Sequence, residues 1–181
     1  MAKSAITTYG EALFQIASES SSVDMMFDEA LQLKDILASN GELGDLMANP
    51  RFSKEEHLDI LSNVFKGKIN EKLYLFLELL VNKGRYENVE DILDYFILRV
   101  KEHRGIGQAF VTSAVEIDAE TKNRIKEKLL STTDYKAIEI EYKVDPSLLG
   151  GMVIRIKDRI VDNSVKTKLE QISRDLHKIQ V

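Results

Sequence analysis

The 181-residue sequence has no cysteine. That excludes disulfide staples, thiolate nucleophiles and cysteine-ligated metals, and it is compatible with a reducing compartment. No apolar run approaches the roughly 18–20 residues that cross a bilayer. The opening, MAKSAITTYGEALF, has neither the basic n-region nor the long apolar stretch of a secretory signal. Membrane association is therefore expected to run through a partner. Positive charge is in deficit as well, with 25 Lys+Arg against 30 Asp+Glu for a formal net charge of −5. This is a poor basis for nucleic-acid binding, where phosphate neutralisation supplies most non-specific affinity. What is present, 44% hydrophobic and 30% charged residues, describes an ordinary soluble chain with enough length to bury one or two cores.

Catalytic motifs are missing too. Gly150-Gly151 is not part of a G-x-G-x-x-G and leads into a strand pattern, so it reads as a turn or a close-packing position. The Gly-Lys of FKGKIN lacks both the earlier glycine and the following Ser/Thr of a phosphate loop, and reads as a helix terminus. His57, His103 and His177 have no partner at ligand spacing and read as surface histidines. No G-x-S-x-G elbow occurs. No catalytic, cofactor-binding or metal-ligating residue and no cofactor are expected.

The hydrophobic period changes once along the chain. Up to about residue 105 it is helical. Ile6, Tyr9, Leu13, Ile16 and Ala17 form one stripe; Val23, Met26, Phe27, Ala30, Leu31, Lys34 and Leu37 form a second; a short helix fits 42–48. Ser53 and Glu56 make a capping box ahead of Leu58, Leu61, Val64 and Phe65, since each can satisfy an amide of the other's end of the first turn. NEKLYLFLELLVNKG is apolar nearly all round, and Val89, Ile92, Leu93, Phe96, Ile97 and Val100 complete a sixth stripe. Gly84 and Gly105 suit left-handed helix stops.

Beyond RGIG the period falls to two. QAFVTSAVEI reads as a strand, Asp118 as the cap of a helix with Ile125 and Leu129 inward, and KAIEIEYKV as a strand with Ile138, Ile140, Tyr142 and Val144 on its covered face. Met152, Ile154 and Ile156 continue the pattern, Lys157-Asp158-Arg159 turns, and Ile160-Val161 pairs back. Asn163 or Ser164 caps a last helix whose Val165, Leu169, Ile172, Leu176 and Ile179 are spaced 4, 3, 4, 3. The expected fold is α+β in two domains: an antiparallel helical bundle of about six helices over 1–105, then a small β-α-β-β-α domain over 106–181.

Surplus apolar surface marks candidate contact faces. Gly10 and Phe14 lie off the first helical stripe, while Tyr74, Leu75, Leu79 and Val81 are left over once Leu73, Phe76, Leu77 and Leu80 turn inward. Either helix five is central, or a groove beside helices one and five accepts an amphipathic helix.

Four segments in order carry a family resemblance. TYGEALFQIA is similar to R-Y-A-x-A-L-F-x-x-A, LLVNKGRYENVEDILDYF to an L-x-x-N-G-R helix ending with its successor, and VTSAVEI to a V-x-S-A domain entry. DPSLLGGMVIRIKDRIVDNSV is similar to D-x-S-L-x-G-G-x-x-I-R-x-G-D-x-x-I-D-x-S-V. The chain thus resembles, end to end, the delta subunits of bacterial F-type ATP synthases, counterparts of the mitochondrial oligomycin-sensitivity-conferring protein. It departs at Thr8 (arginine is usual), Gly10 (alanine), Lys157 and Asn163 (glycine) and Lys166 (arginine).

The resemblance implies a non-catalytic stator subunit that links the catalytic head of a proton-translocating ATP synthase to its peripheral stalk and resists torque during ATP synthesis. It would lie at the cytoplasmic face of the cell membrane as a peripheral part of the complex. The implied partners are the alpha subunits and the b-subunit stalk, with no nucleic acid. The alpha N-terminal helix would meet Tyr9, Gly10, Leu13, Phe14, Leu75, Leu79 and Val81. The signature on the stalk side comprises Gly150, Gly151, Arg155, Asp162, Ser164, Val165, Leu169, Ile172 and Leu176, the terminal helix either packing on its own sheet or meeting the stalk directly. Residues alone leave other classes open: an independent interaction adaptor, a small enzyme, or an RNA-binding regulator.

Overall fold

The computed structural model describes residues 2–49 and 51–179, with side chains described in them except at 2–4, 48 and 176–179. The chain divides into two compact units, Met1–Val100 and Lys101–Val181.

The first unit is helical: α1 (Ala2–Glu19), α2 (Val23–Ser39), α3 (Gly41–Ala48), α4 (Lys54–Phe65), α5 (Glu71–Asn82), a 3-10 turn (Tyr86–Asn88) and α6 (Val89–His103), which runs into the second unit. Helix starts follow from local chemistry. Ser53 Oγ accepts from the Glu56 amide at 3.2 Å while Glu56 accepts from the Ser53 amide at 2.7 Å, the reciprocal box that the sequence predicts. Asn70 caps α5 by accepting from Lys72 N. Gly84 and Gly105 end α5 and α6 at φ +63° and +75°, conformations that cost other residues a Cβ clash.

The bundle core is built on α5 and α6, where Leu73, Leu77, Leu80, Ile92, Leu93, Phe96 and Val100 are fully buried. The period in α2 needs one correction. Leu33 is buried and Leu31 is exposed, because Met26, Phe27, Ala30, Leu33 and Leu37 follow the 3-4 rhythm of a single face and Leu31 starts the next one. Lys34, at the rim, pairs with Asp94 of α6.

The second unit consists of β1 (Ile106–Ser113), α7 (Ala119–Thr132), β2 (Ala137–Val144), a 3-10 turn (Pro146–Leu148), β3 (Met152–Ile156), β4 (Arg159–Asp162) and α8 (Val165–Ile179). The sheet order is β2-β1-β3-β4, with β1 parallel to β2 and the other neighbours antiparallel. The β1–α7–β2 crossover supplies the parallel pair, and the tight turn at Lys157-Asp158 the β3–β4 hairpin. Asp118 caps α7 by accepting from the Thr121 amide at 2.7 Å, a bond that holds its carboxyl below the usual range.

One sheet face is filled by Ala109, Val111, Ile138 and Ile156 and covered by Ile125 and Leu129 of α7. Strand β1 begins at Ile106 and stops at Ser113, earlier at both ends than expected. Ser113 Oγ donates to the Val115 carbonyl at 2.7 Å, a local bond that turns the chain out of the ladder. Val144 also differs from expectation: the last residue of its strand, it is exposed.

Candidate functional site

Among the described residues no cluster of three metal-ligating side chains occurs and no helix is long and apolar enough to cross a membrane. The features that can do work are apolar surfaces, one set in each unit.

In the helical unit the expected groove residues separate into two groups. Leu13 is fully buried in the core stripe, and Phe14 and Val81 are 8% and 7% exposed, as is Tyr74 at 7%. These four are core. The reason at Phe14 is that α1 buries two adjacent rows: besides Leu13 and Ala17, the row Gly10–Phe14 lies against α6. The Arg99 guanidinium sits 4.8 Å from the centre of the Phe14 ring and its Nε donates to Glu11 at 3.1 Å. Gly10 is a packing notch rather than a groove floor. A Cβ there would collide with the Tyr95 ring, coming within 3.0 Å of its Cγ, and the Tyr95 hydroxyl reaches Glu11 at 3.4 Å. The helical wheel identified one seam; the second, facing α6, depends on tertiary placement and is marked in sequence only by the small residue at Gly10. Leu75 and Leu79 differ: one helical turn apart on α5, they are 51% and 41% exposed. Tyr9 is half-buried at the edge of the core, edge-on to the buried Phe76 with ring centres 6.5 Å apart.

In the second unit the stretch 145–165 forms the root of α8. Asp145 accepts from the Ser147 amide at 3.0 Å and opens a turn that ends with Leu149 at φ +63° and Gly151 at φ +74°. Gly150 is as constrained, since a Cβ would lie 2.8 Å from Cγ2 of Val165. Its carbonyl accepts from the Val165 amide at 2.9 Å. Asp162 accepts from the Ser164 amide at 2.8 Å and from the Thr167 hydroxyl at 2.7 Å, and the buried Ser164 Oγ accepts from the Thr167 amide at 3.2 Å. These donors, the Ser164 amide first, hold the Asp162 carboxyl below its ordinary range. Ser164, not Asn163, is the cap, and Thr167 is a member of the network that spacing alone did not reveal.

Past this root α8 is bare. Val165, Leu169 and Ile172 are 40%, 52% and 56% exposed, and the helix packs mainly against the 3-10 turn at Pro146–Leu148. Of the two expected arrangements, packing on the sheet is therefore not adopted by this part of the helix. Leu176 lies outside the residues whose side chains are described. A helix fixed at one end by four hydrogen bonds, with a 4-3 apolar seam open along it, is a preorganised docking element.

A family model described as "ATP synthase delta (OSCP) subunit" matches residues 6–176. The chain is 46% identical over 181 residues to the ATP synthase subunit delta of Lachnoclostridium phytofermentans, covering all of both chains. It is 34% identical over 164 residues to that of Lactobacillus acidophilus, covering 91% of this chain and 90% of the relative. In fold it is similar to a chain of the Toxoplasma gondii mitochondrial ATP synthase hexamer, with a TM-score of 0.75, 16% identity, and coverage of 94% of this chain and 96% of the other.

Proposed function

Since the chain belongs to the ATP synthase delta (OSCP) subunit family, we propose that its two units divide the family's work, the helical unit holding the catalytic head and the C-terminal unit the peripheral stalk. The protein itself is a non-catalytic stator subunit of an ATP synthase: nucleotide chemistry and ion conduction belong to other subunits, and its partners are the alpha subunits and the stalk. Its place is the cytoplasmic face of the cell membrane, where the rest of the complex holds it.

The observation that carries the division is that each unit has its own core and its own exposed helical seam. Leu75 and Leu79 offer the helical unit a strip one turn long for the apolar side of an alpha N-terminal helix. Val165, Leu169 and Ile172 offer the stalk a longer heptad-like strip. A rotor that drives synthesis pushes the head around, so a stator joint must bind both sides at once. Two independently folded units do this without one interface competing with the other.

The test is binding with the full chain. Leu75→Asp is expected to weaken attachment to isolated heads and leave stalk binding unchanged, while Leu169→Asp is expected to do the reverse. Loss of both from either substitution would overturn the division.

A further inference from the structure

Lys157 holds a left-handed backbone, φ +50°, in the turn between β3 and β4, a conformation that is costly for a lysine and easy for a glycine. It is also a position at which the chain departs from the glycine of the pattern it resembles. A cost kept at one residue points to something its side chain does. The Lys157 Nζ pairs with Glu102 Oε1 at 3.2 Å and lies 5.2 Å from the centre of the Tyr135 ring. Glu102 belongs to the last turn of α6, which is part of the second unit, and Tyr135 to the loop between α7 and β2.

That turn of helix and the residues after it are held at further points of the same unit. Lys101 Nζ donates to Glu139 of β2 at 2.6 Å. The Gly105 carbonyl accepts from the amides of Lys136 and Ala137 at 2.8 and 3.3 Å. Gly107 lies against the Tyr135 ring, where a Cβ would collide, coming within 2.8 Å of its Cγ. One ring thus meets both the glycine of the link and the ammonium of the hairpin turn.

We propose that Lys157 is a mechanical tie: by joining the β3–β4 turn to Glu102 and Tyr135, it makes residues 101–107 a fixed member of the C-terminal unit, where two glycines in three residues would otherwise leave a pliant link. An exposed ion pair alone contributes little. Here the Glu102 side chain is only 26% exposed, which limits screening, and the ring contact adds to the pair. The tie suits a stator subunit, because a load that arrives along α6 passes into the sheet instead of twisting the glycines. The inference uses the stator role alone and is independent of which unit holds which partner.

The experiment is hydrogen exchange on the full chain, with cleavage after Arg104 by an arginine-specific protease as a second readout. The variants are Lys157→Gly, Glu102→Gln and the two together. Lys157→Gly removes the tie while easing the left-handed backbone, so a loosened turn cannot imitate the result. Each single change is expected to quicken exchange over residues 103–107, and cleavage at Arg104, at least about threefold, with protection in Met152–Ile156 and Arg159–Asp162 unchanged. The double variant should be no faster than Lys157→Gly alone, since both changes break one interaction. Added salt should narrow the gap between the unaltered chain and Glu102→Gln. Unchanged exchange and cleavage in both single variants would overturn the proposal. So would effects that multiply in the double variant, or equal quickening throughout the β3–β4 hairpin, which would make the loss one of general stability. No partner enters these measurements, so their failure leaves the division between head and stalk standing.

Discussion

Gly151 lies so close to Asn163 that a Cβ would overlap the Asn163 carbonyl oxygen and come within 3.2 Å of the Ser164 Cα. The two residues join the turn before β3 to the turn before α8, and the contact is backbone on backbone, so no side chain can swing aside to relieve it.

Gly151→Ala is therefore expected to damage the C-terminal unit severely. The left-handed φ of +74° alone costs an alanine about 1–2 kcal/mol, and the clash with Asn163 adds to it. Hydrogen exchange in the full chain should quicken across Met152–Ile156 and Arg159–Asp162 and at the start of α8, with the bundle's α5 and α6 protected as before. Unchanged protection in those strands would mean the approach is softer than the backbone indicates.

Phe14 and Leu75 make a pair with opposite expected behaviour. Phe14→Ala removes a core ring and its contact with Arg99, a change typically worth about 3–5 kcal/mol. Leu75 is half-exposed, and Leu75→Asp should alter stability by no more than about 0.5 kcal/mol. Against isolated heads the order reverses: Leu75→Asp should weaken binding at least about tenfold, equivalent to 1.4 kcal/mol. Thermal unfolding and head-binding titrations on both variants check this. A large fall in melting temperature for Leu75→Asp would place that residue in the core.

Asp162 makes the root of α8 sensitive to acid. Its hydrogen bonds to Ser164 and Thr167 hold the folded-state carboxyl below the ordinary range, so in the interval between the folded and unfolded values the unfolded chain binds more protons. The contribution is thus complete above the ordinary carboxylate range and is lost as pH falls through it towards the folded value. Asp118, Asp145 and Glu56 are lowered by the same kind of bond and act in the same direction. Asp162→Asn retains an oxygen acceptor without the titration, so its melting temperature should fall less steeply than the parent's when pH is taken below about 4. Parallel curves for the two proteins would remove Asp162 from the acid response.

Much of this architecture was legible because it is written in local rules. The Ser53–Glu56 box, the stripe from Val89 to Val100, the Asp118 cap and the change from helical to alternating period each need only neighbours in the chain. Phe14 was misplaced because its burial depends on α6, more than eighty residues on by the numbering of its Arg99 partner. Lys157 is a milder case. Where the resemblance favours glycine, this chain holds a lysine at φ +50°, and its Nζ reaches Glu102 at 3.2 Å and lies 5.2 Å from the centre of the Tyr135 ring. Those contacts offset the backbone cost and raise the lysine's pKa, the Tyr135 bond contributing most. The alignment of Phe110, Arg155 and Ile160 was hidden for another reason: they lie on three separate strands, and only the register brings them together.

The seam of α8 allows a decision that the sequence left open. If Leu169 and Ile172 packed on the sheet, charging them would loosen β2 and β3; exposed at 52% and 56%, they have little native packing to lose. The double change Leu169→Asp, Ile172→Asp is therefore expected to leave hydrogen exchange in Ala137–Val144 and Met152–Ile156 unaltered. Stalk binding should nevertheless fall at least about a hundredfold, since burying two such side chains against a partner is worth roughly 1.5–3 kcal/mol each. A truncation serves the same purpose only if it spares the root. Ending the chain after Lys168 keeps the Asp162–Ser164–Thr167 network, whereas ending it before Ser164 removes a buried cap and confuses lost contact with lost structure. Full stalk affinity in the chain ending at Lys168 would show that the stalk is held elsewhere, and would sink the role assigned to the α8 seam.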